Sequence, residues 1–269
     1  MESSKILYIS QEIKPYLPDS PIATLSRDLS QGIMEGGKEI RTFMPRFGSV
    51  NERRNQLHEV IRLSGLNIVI DDTDHPLLIK VASIQAARMQ IYFIDNDDLF
   101  SRKGVTTDPA TGELFADNDE RSIFFARGAL ETTKKLRWVP DLIHLNGWFT
   151  MMVPIYTRLM AKKDPYFAHS KIVVSLYDEA WQGEWENMNR KLWMEGIDEK
   201  ALKKIKITDY LTLMKTAIDL SDGISICSPN ATPELVEYAK ASGKPVLDYP
   251  GETDYVPAFN AFYDKILGK

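Results

Sequence analysis

Aromatic side chains stand close to amide and carboxylate side chains at two places in this sequence. Asn146 and Trp148 follow one short apolar run, and Asp178, Trp181 and Gln182 follow another. The flat apolar face of a sugar stacks on an aromatic ring, while its hydroxyl groups need hydrogen-bond donors and acceptors nearby. This combination of residue types therefore favours a carbohydrate-binding site.

The apolar runs are typical of buried parallel strands, and ligands of an open parallel sheet bind beyond the carboxyl ends of its strands. We therefore take a candidate cleft from the loops that follow three of these runs. Its nine residues are Tyr16, Asp19, Asn146, Trp148, Phe149, Tyr177, Asp178, Trp181 and Gln182. No catalytic residue is assigned among them. The competing interpretation is that the tryptophans pack in the core and the polar groups cap helices or face solvent.

No metal or cofactor is expected. The four histidines show no ligand spacing, and Cys227 is the only cysteine, so neither a Cys-based zinc site nor an internal disulfide can form. No glycine-rich phosphate loop is present, and the glycine pair at 36–37 is expected to end a helix. Asp95, Asp97 and Asp98 are expected in a solvated loop, because such charges usually stay exposed.

Composition narrows the class of protein. Hydrophobic residues make up 43% of the 269 positions and charged residues 26%, which is typical of a globular protein and too apolar for a disordered one. With a formal net charge of −5 and no Lys/Arg stripe with interleaved aromatics, nucleic acid is not an expected partner. No apolar run is long enough for a signal peptide or a bilayer span, so we expect a cytoplasmic protein without a membrane partner.

The hydrophobic pattern predicts an α/β fold with a single doubly wound, mostly parallel, Rossmann-like sheet. The predicted parallel strands are Ile6 to Ser10, Ile40 to Met44, Leu142 to Leu145, Lys171 to Leu176 and Gly223 to Cys227. The predicted helices are Ile22 to Met34, Asp119 to Leu136, Trp148 to Met160, Ile207 to Leu220, Thr232 to Ala241 and Val256 to Leu267.

One part of the chain departs from this alternation. Short alternating runs over 60–63, 67–71, 77–82 and 89–94 predict a short antiparallel insertion, and 95–118 predict a polar loop. No Pro/Gly/Ser-rich linker divides the sequence. We therefore expect residues 1–269 to form a single domain.

Several stretches together resemble the N-terminal catalytic domain of bacterial glycogen synthases and plant starch synthases. The resemblance covers about residues 5–240 and rests on a combination of segments, each of which is unspecific alone. The segments are 117–131 ("DNxERFxFFxxAALE"), 138–150 ("WxPDIIHxHDWxT"), 180–183 ("HNLAYQG"), 222–229 ("ADxIxTVSP"), 10–15 ("SEVAP") and 44–48 ("LPRYG").

The resemblance implies the first domain of a two-domain GT-B glycosyltransferase. It implies a hexosyltransferase activity, the transfer of glucose from ADP- or UDP-glucose to an α-1,4-glucan in glycogen biosynthesis. The C-terminal domain of that family makes most contacts to the nucleotide, and we expect it to be absent from this chain.

The departures from the family pattern weaken that activity. Where the family has "KTGGL" after its first strand, this sequence has Pro18 to Ile22, which removes a cation and amide donors. The polar residue after the family's "HDW" is Phe149 here, and "HN" has become Tyr177 and Asp178. Each change removes a group that would contact sugar or stabilise developing charge.

Three interpretations remain open. The chain is a degenerate glycosyltransferase domain that binds glucan or a protein partner, an active transferase alone or completed by another chain, or an unrelated small-molecule enzyme on the same fold. A homo-oligomer is an open alternative to a different protein partner. Under the first interpretation we expect millimolar binding of neutral α-glucan, little binding of nucleotide sugar, and no glucosyl transfer by this chain alone.

Overall fold

The computed structural model describes residues 3–269. Within this range the β-strands are β1 Lys5–Ser10, β2 Glu39–Pro45, β3 His58–Glu59, β4 Leu66–Ile70, β5 Thr73–Ile84, β6 Met89–Asp95, β7 Leu142–Asn146, β8 Lys171–Leu176, β9 Gly223–Ile226 and β10 Val246–Leu247. The α-helices are α1 Pro21–Glu35, α2 Asp97–Phe100, α3 Asn118–Lys135, α4 Val153–Leu159, α5 Met188–Met194, α6 Glu199–Leu202, α7 Tyr210–Leu220, α8 Pro233–Ala241 and α9 Tyr255–Leu267. Short 3-10 helices occupy Gln85–Ala87, Trp148–Thr150 and Pro165–Phe167.

The strands form one sheet in the order β10-β9-β8-β7-β1-β2-β6-β5-β3, with β4 paired to β5. All neighbours from β10 to β6 are parallel, and Ile6 at the centre lies opposite Ile40 on one side and Leu142 on the other. β5 pairs antiparallel with β3, β4 and β6. The predicted α/β class and mostly parallel sheet are confirmed.

The strand order reverses beside β1, and this reversal fixes where a ligand can bind. From β1 the chain proceeds to β2 on one side, and it later returns to β7 on the other side. Open parallel sheets bind ligands at such a switch point, outside the carboxyl ends of the strands. The loops after β1 and β7 therefore flank the crevice that the topology creates.

Helix α1 begins and ends on local signals. The Ser20 hydroxyl accepts a hydrogen bond from the Ala23 backbone N–H, and Pro21 occupies the first turn, where a missing N–H costs nothing. Gly37, at φ +94°, takes the left-handed conformation that follows the helix. A Cβ at Gly32 would lie 2.7 Å from a methyl carbon of Val256, so this glycine lets α9 pack closely on α1.

A buried hydrogen-bond network ties α9 to the centre of the sheet. His144 on β7 is fully buried; its Nδ1 lies 2.6 Å from the Tyr263 hydroxyl and its Nε2 lies 2.6 Å from the Ser175 hydroxyl. Burial lowers the pKa of His144 to about 3, so the ring is neutral at pH 7. Because a neutral ring is both donor and acceptor, it can satisfy both hydroxyls.

Arg121 on α3 is fully buried among aromatic rings. Its guanidinium carbon lies 4.9–5.5 Å from the ring centroids of Phe47, Phe100, Phe115 and Phe149. Nε donates to the Leu99 carbonyl and Nη1 donates to the Asn118 side chain. The cation is therefore compensated by π-faces and hydrogen bonds, although burial lowers its pKa to about 10.

Some predicted elements were wrong. Val60 to Leu63, expected as a strand, is a turn, and the helix expected over 148–160 is a 3-10 turn followed by α4. Helices α5 and α6 were not predicted. Asp95 ends β6 and is fully buried, where it pairs with Arg46 at 2.8 Å and Lys80 at 2.9 Å. Only the next aspartates, at 97 and 98, are exposed as expected.

No helix within residues 3–269 combines the length and apolarity that crossing a bilayer requires.

Candidate functional site

The main cleft lies at the carboxyl ends of the strands and has a volume of about 630 Å³. The loops after β1, β8, β9 and β10 contribute to it, together with the first turns of α1 and α9. Its lining includes Asp19, Ser20, Pro21, Thr24, Asp178, Ser228, Asn230, Tyr249, Glu252 and Tyr255. The cleft therefore lies beyond the carboxyl ends of the strands, where open parallel sheets bind ligands, although none of the described residues in the loop after β7 lines it.

The charged side chains that line this cleft are all acidic among the described residues. Asp19, Asp178 and Glu252 line it, and no lysine or arginine from the described part of the chain belongs to its lining. The Ser20 hydroxyl, at the N-terminus of α1, donates to the Glu12 carboxylate at 2.7 Å and accepts from the Ala23 backbone N–H. Pro21 has no N–H, and the Ala23 N–H is already bonded to Ser20. The first turn of α1 therefore offers an anion fewer free amide donors than the start of an ordinary helix.

Four of the nine predicted residues are interior side chains, so they do not line the open cleft that we expected. Tyr16 packs edge-on against Phe93, and the Tyr177 hydroxyl donates to the Asn146 side chain at 2.8 Å. Phe149 lies in the aromatic cluster around the arginine of α3. All four, Tyr16, Asn146, Phe149 and Tyr177, are at most 5% exposed.

Three further predicted residues lie in a smaller pocket of about 110 Å³. Trp148, Trp181 and Gln182 line it together with Trp185. The rings of Trp181 and Trp185 are stacked, with centroids 4.8 Å apart, and Trp148 is 4% exposed. The tryptophans therefore pack mainly on one another, as the competing interpretation required. The Trp181 Nε1 is a buried donor without a partner among residues 3–269.

The remaining two predicted residues, Asp19 and Asp178, line the main cleft. The two predicted carboxylates therefore line one cleft, and the predicted tryptophans line a different pocket. Sequence reasoning missed Tyr249, Glu252 and Tyr255, whose segment follows β10. The rule that ligand-contacting residues follow strands would have found them, because the apolar pair Val246–Leu247 marks β10, but the loop after this strand was not taken into the predicted cleft.

Sequence reasoning also missed Glu179, which stands in the sequence between Asp178 of the main cleft and Trp181 of the smaller pocket. The Glu179 carboxylate accepts a hydrogen bond from the Trp148 backbone N–H at 3.1 Å. Burial, reinforced by the nearby charge of Glu12, raises the pKa of Glu179 to about 8, although hydrogen bonds from Trp148 and Gln11 oppose this. The signal was present in the sequence, since the family stretch "HNLAYQG" has a leucine where Glu179 stands.

Gln11 connects the loops after β1 and β7. Its Oε1 accepts from the Phe149 backbone N–H at 3.2 Å, and its Nε2 donates to Glu12 at 3.0 Å. Gly147, at φ +88°, makes this approach feasible, because a Cβ there would lie 2.7 Å from the Cβ of Gln11. The polar groups at the floor of the switch-point crevice are therefore already hydrogen-bonded to one another.

The described residues contain no arrangement of side chains typical of a metal site. Across 3–269 no three His, Cys, Asp or Glu side chains are arranged to hold a metal ion. The Cys227 thiol lines the main cleft, and burial raises its pKa to about 11, so it is a neutral thiol and a poor nucleophile.

Comparison with known proteins gives consistent results. The family model described as the starch synthase catalytic domain matches residues 5–247. A glycogen synthase of Chlorobaculum parvum is 30% identical over 239 residues, which are 88% of this chain and 48% of the relative. A glycogen synthase of Chlorobium chlorochromatii is 30% identical over 277 residues, covering 99% of this chain and 56% of the relative. The chain thus spans about half the length of these relatives.

A solved structure supports the fold. The catalytic domain of starch synthase IV from Arabidopsis thaliana, bound to ADP and acarbose, superimposes with a TM-score of 0.73 at 18% identity. The match covers 94% of this chain and 52% of that one. This likeness shows that the chain has the GT-B-type fold of that domain. Together with the match over residues 5–247, it follows that the chain belongs to the starch synthase catalytic domain family.

Proposed function

We propose that this chain is a degenerate glycosyltransferase domain that binds neutral α-glucan in its main cleft and does not itself transfer glucose. One observation carries the proposal. Asp19, Asp178 and Glu252 line the cleft without a lysine or arginine from the described residues beside them. A nucleotide sugar presents a doubly charged diphosphate, whereas a glucan presents uncharged hydroxyl groups.

The acidic lining affects the binding free energies of nucleotide sugar and glucan differently. Two like charges about 4 Å apart repel by about 1 kcal/mol in bulk water and by about 4 kcal/mol at an effective dielectric constant of 20. Three carboxylates around a diphosphate therefore oppose its binding, and the repulsion weakens as the salt concentration rises. The loss of the family's lysine from the loop before α1 removes a cation that would offset this repulsion.

The same groups suit a neutral sugar. Carboxylate oxygens of Asp19 and Asp178 can accept hydrogen bonds from sugar hydroxyls, and these bonds are stronger than those to neutral acceptors. The half-buried rings of Tyr249 and Tyr255 border the cleft and offer apolar faces. Stacking contributes about 1 kcal/mol beyond area burial, which is consistent with millimolar affinity.

Glucosyl transfer is the second candidate function, because family membership over residues 5–247 favours it. Incubating the pure chain with labelled ADP-glucose and glycogen distinguishes the two. We expect incorporation of label at background level, because nothing in the cleft stabilises the diphosphate leaving group. Turnover well above background that Asp178→Asn abolishes would establish a transferase and overturn the proposal.

A further inference from the structure

A second groove, of about 840 Å³, lies on the helical surface between α4, α6 and α7. Seven lysine and arginine side chains line it against two carboxylates, although the whole chain has a net charge of −5. The cations come from three parts of the chain, 158–163, 200–206 and Lys215, and the fold brings these three parts together.

Most of the positive charge is available to a ligand. Lys162, Lys200, Lys204 and Lys206 are exposed, and none forms an ion pair within residues 3–269. Of the other three cations, Lys215 pairs with Glu234, the arginine of α4 pairs with Asp222, and Lys163 donates to the Gly196 carbonyl. Four lysines are therefore free to bind an acidic group.

The two carboxylates of the groove are already engaged. Asp198 is the N-cap of α6 and accepts from the Lys200 backbone N–H at 2.7 Å. Asp219 accepts from the Tyr238 hydroxyl at 2.9 Å. Neither is placed as a dedicated partner of the four free lysines, so the groove keeps a surplus of positive charge.

The floor of the groove selects the kind of acidic ligand. Leu159, Ala201, Ile205 and Leu220 provide aliphatic surface between the lysines. No aromatic ring lines the groove, so the stacking platform that single-stranded nucleic acid uses is missing from the described residues. Arg158, the one arginine among the described residues of the groove, already donates to Asp222 and to the Ser170 carbonyl. It therefore cannot form a bidentate contact with a phosphate group without breaking these bonds.

We propose that this groove docks an acidic amphipathic segment of a partner protein. Aliphatic side chains of the segment lie on the floor, and its carboxylates face the free lysines of α6, of the residues that follow α6 and of the turn after α4. This is the helix-in-groove mode of recognition with complementary charge at the rim. The site is separate from the main cleft, so it does not depend on the glucan-binding proposal.

A synthetic peptide tests the site. A fluorescein-labelled helix of about four turns, with leucine at i, i+3, i+4 and i+7 and glutamate elsewhere, is titrated with the full chain by fluorescence anisotropy. We expect saturable binding that the variant K200E/K204E/K206E weakens by at least about ten-fold. The matched control is K103E/K240E/K265E, which makes the same charge change on other surfaces and should leave affinity within about two-fold.

Two further arms test the apolar floor and the partner class. Ile205→Ser, and a peptide with serine in place of leucine, should each weaken binding several-fold, because a purely electrostatic site would not distinguish them. Circular dichroism melting checks that each variant remains folded. Equal affinity for duplex DNA or polyphosphate, equal loss in the control variant, or a dimer that K200E/K204E/K206E dissociates would each overturn the assignment to an acidic peptide.

Discussion

Replacement of Glu179 by glutamine should make the protein more stable at neutral and higher pH, because the carboxyl group is held in a place that disfavours its charge. Burial raises the pKa of Glu179 to about 8 in the folded protein, compared with 4.5 for an unperturbed side chain. Below pH 4.5 the group is protonated in both states and the two proteins should have similar stabilities. As the pH rises towards 8, the unfolded chain loses this proton and the folded chain keeps it, so the wild type loses stability relative to the variant.

The size of the stability difference follows from the interval between the two pKa values of Glu179, 4.5 in the unfolded chain and about 8 in the folded protein. Each pKa unit corresponds to about 1.4 kcal/mol, so the whole interval sets an upper bound of about 5 kcal/mol on the difference. Because the residue is partly exposed, screening by water reduces this, and we expect a gain of about 1–3 kcal/mol for Glu179→Gln at pH 8.5. The amide can still accept the hydrogen bond from the Trp148 backbone N–H.

Urea unfolding of both proteins between pH 5 and pH 9 measures this difference. Glu184→Gln, five positions along and exposed, is the matched control and should follow the wild type at every pH. A stability difference that stays constant across the range, or a wild-type carboxyl signal from ¹³C NMR that titrates near pH 4.5, would refute the reasoning.

Three more predictions follow from the described contacts. Neutralising the cleft with D19N/D178N/E252Q should strengthen ADP-glucose binding by about ten-fold or more at low salt, measured by calorimetry, while the control D72N/D98N/E59Q should not. Arg121→Met should lower the free energy of unfolding by about 3 kcal/mol in urea titrations, because the Leu99 carbonyl and Asn118 side chain lose their donor; a loss below about 0.5 kcal/mol would contradict this. The folded-state pKa of His144 is about 3, so stability should fall as the pH drops below about 6.5, where only the unfolded chain gains the proton; His144→Asn should flatten this fall, and an unchanged pH profile would argue against it.

The parallel core could be predicted from sequence because each strand carries its own signal. The runs at 6–10 and 171–176 are short, apolar and flanked by helical patterns, and they became β1 and β8 almost residue for residue. The turn at 60–63 could not be predicted, because its apolar residues alternate as in a strand. Ile61 is in fact 83% exposed.

The site was predicted less well, because burial depends on contacts between distant segments. Asp95 is charged and ends β6, yet Arg46, directly after β2, and Lys80, on β5, allow it to be buried. Trp148 was placed at the right strand end, but the stacking of Trp181 and its neighbour covers its ring. Asp19 and Asp178 reached the main cleft because short polar side chains beyond strand ends have little else to pack against.

The most direct test of the central proposal is a pair of amide-shift titrations on the same labelled sample, one with maltooligosaccharide and one with ADP-glucose. We expect maltooligosaccharide to shift the amides around Asp19, Asp178 and Tyr255 with a dissociation constant in the millimolar range, and ADP-glucose to leave them in place. Tight binding of ADP-glucose at these amides would contradict the proposal and restore an active transferase, and a chain that responds to neither ligand would show that the cleft is not a glucan site.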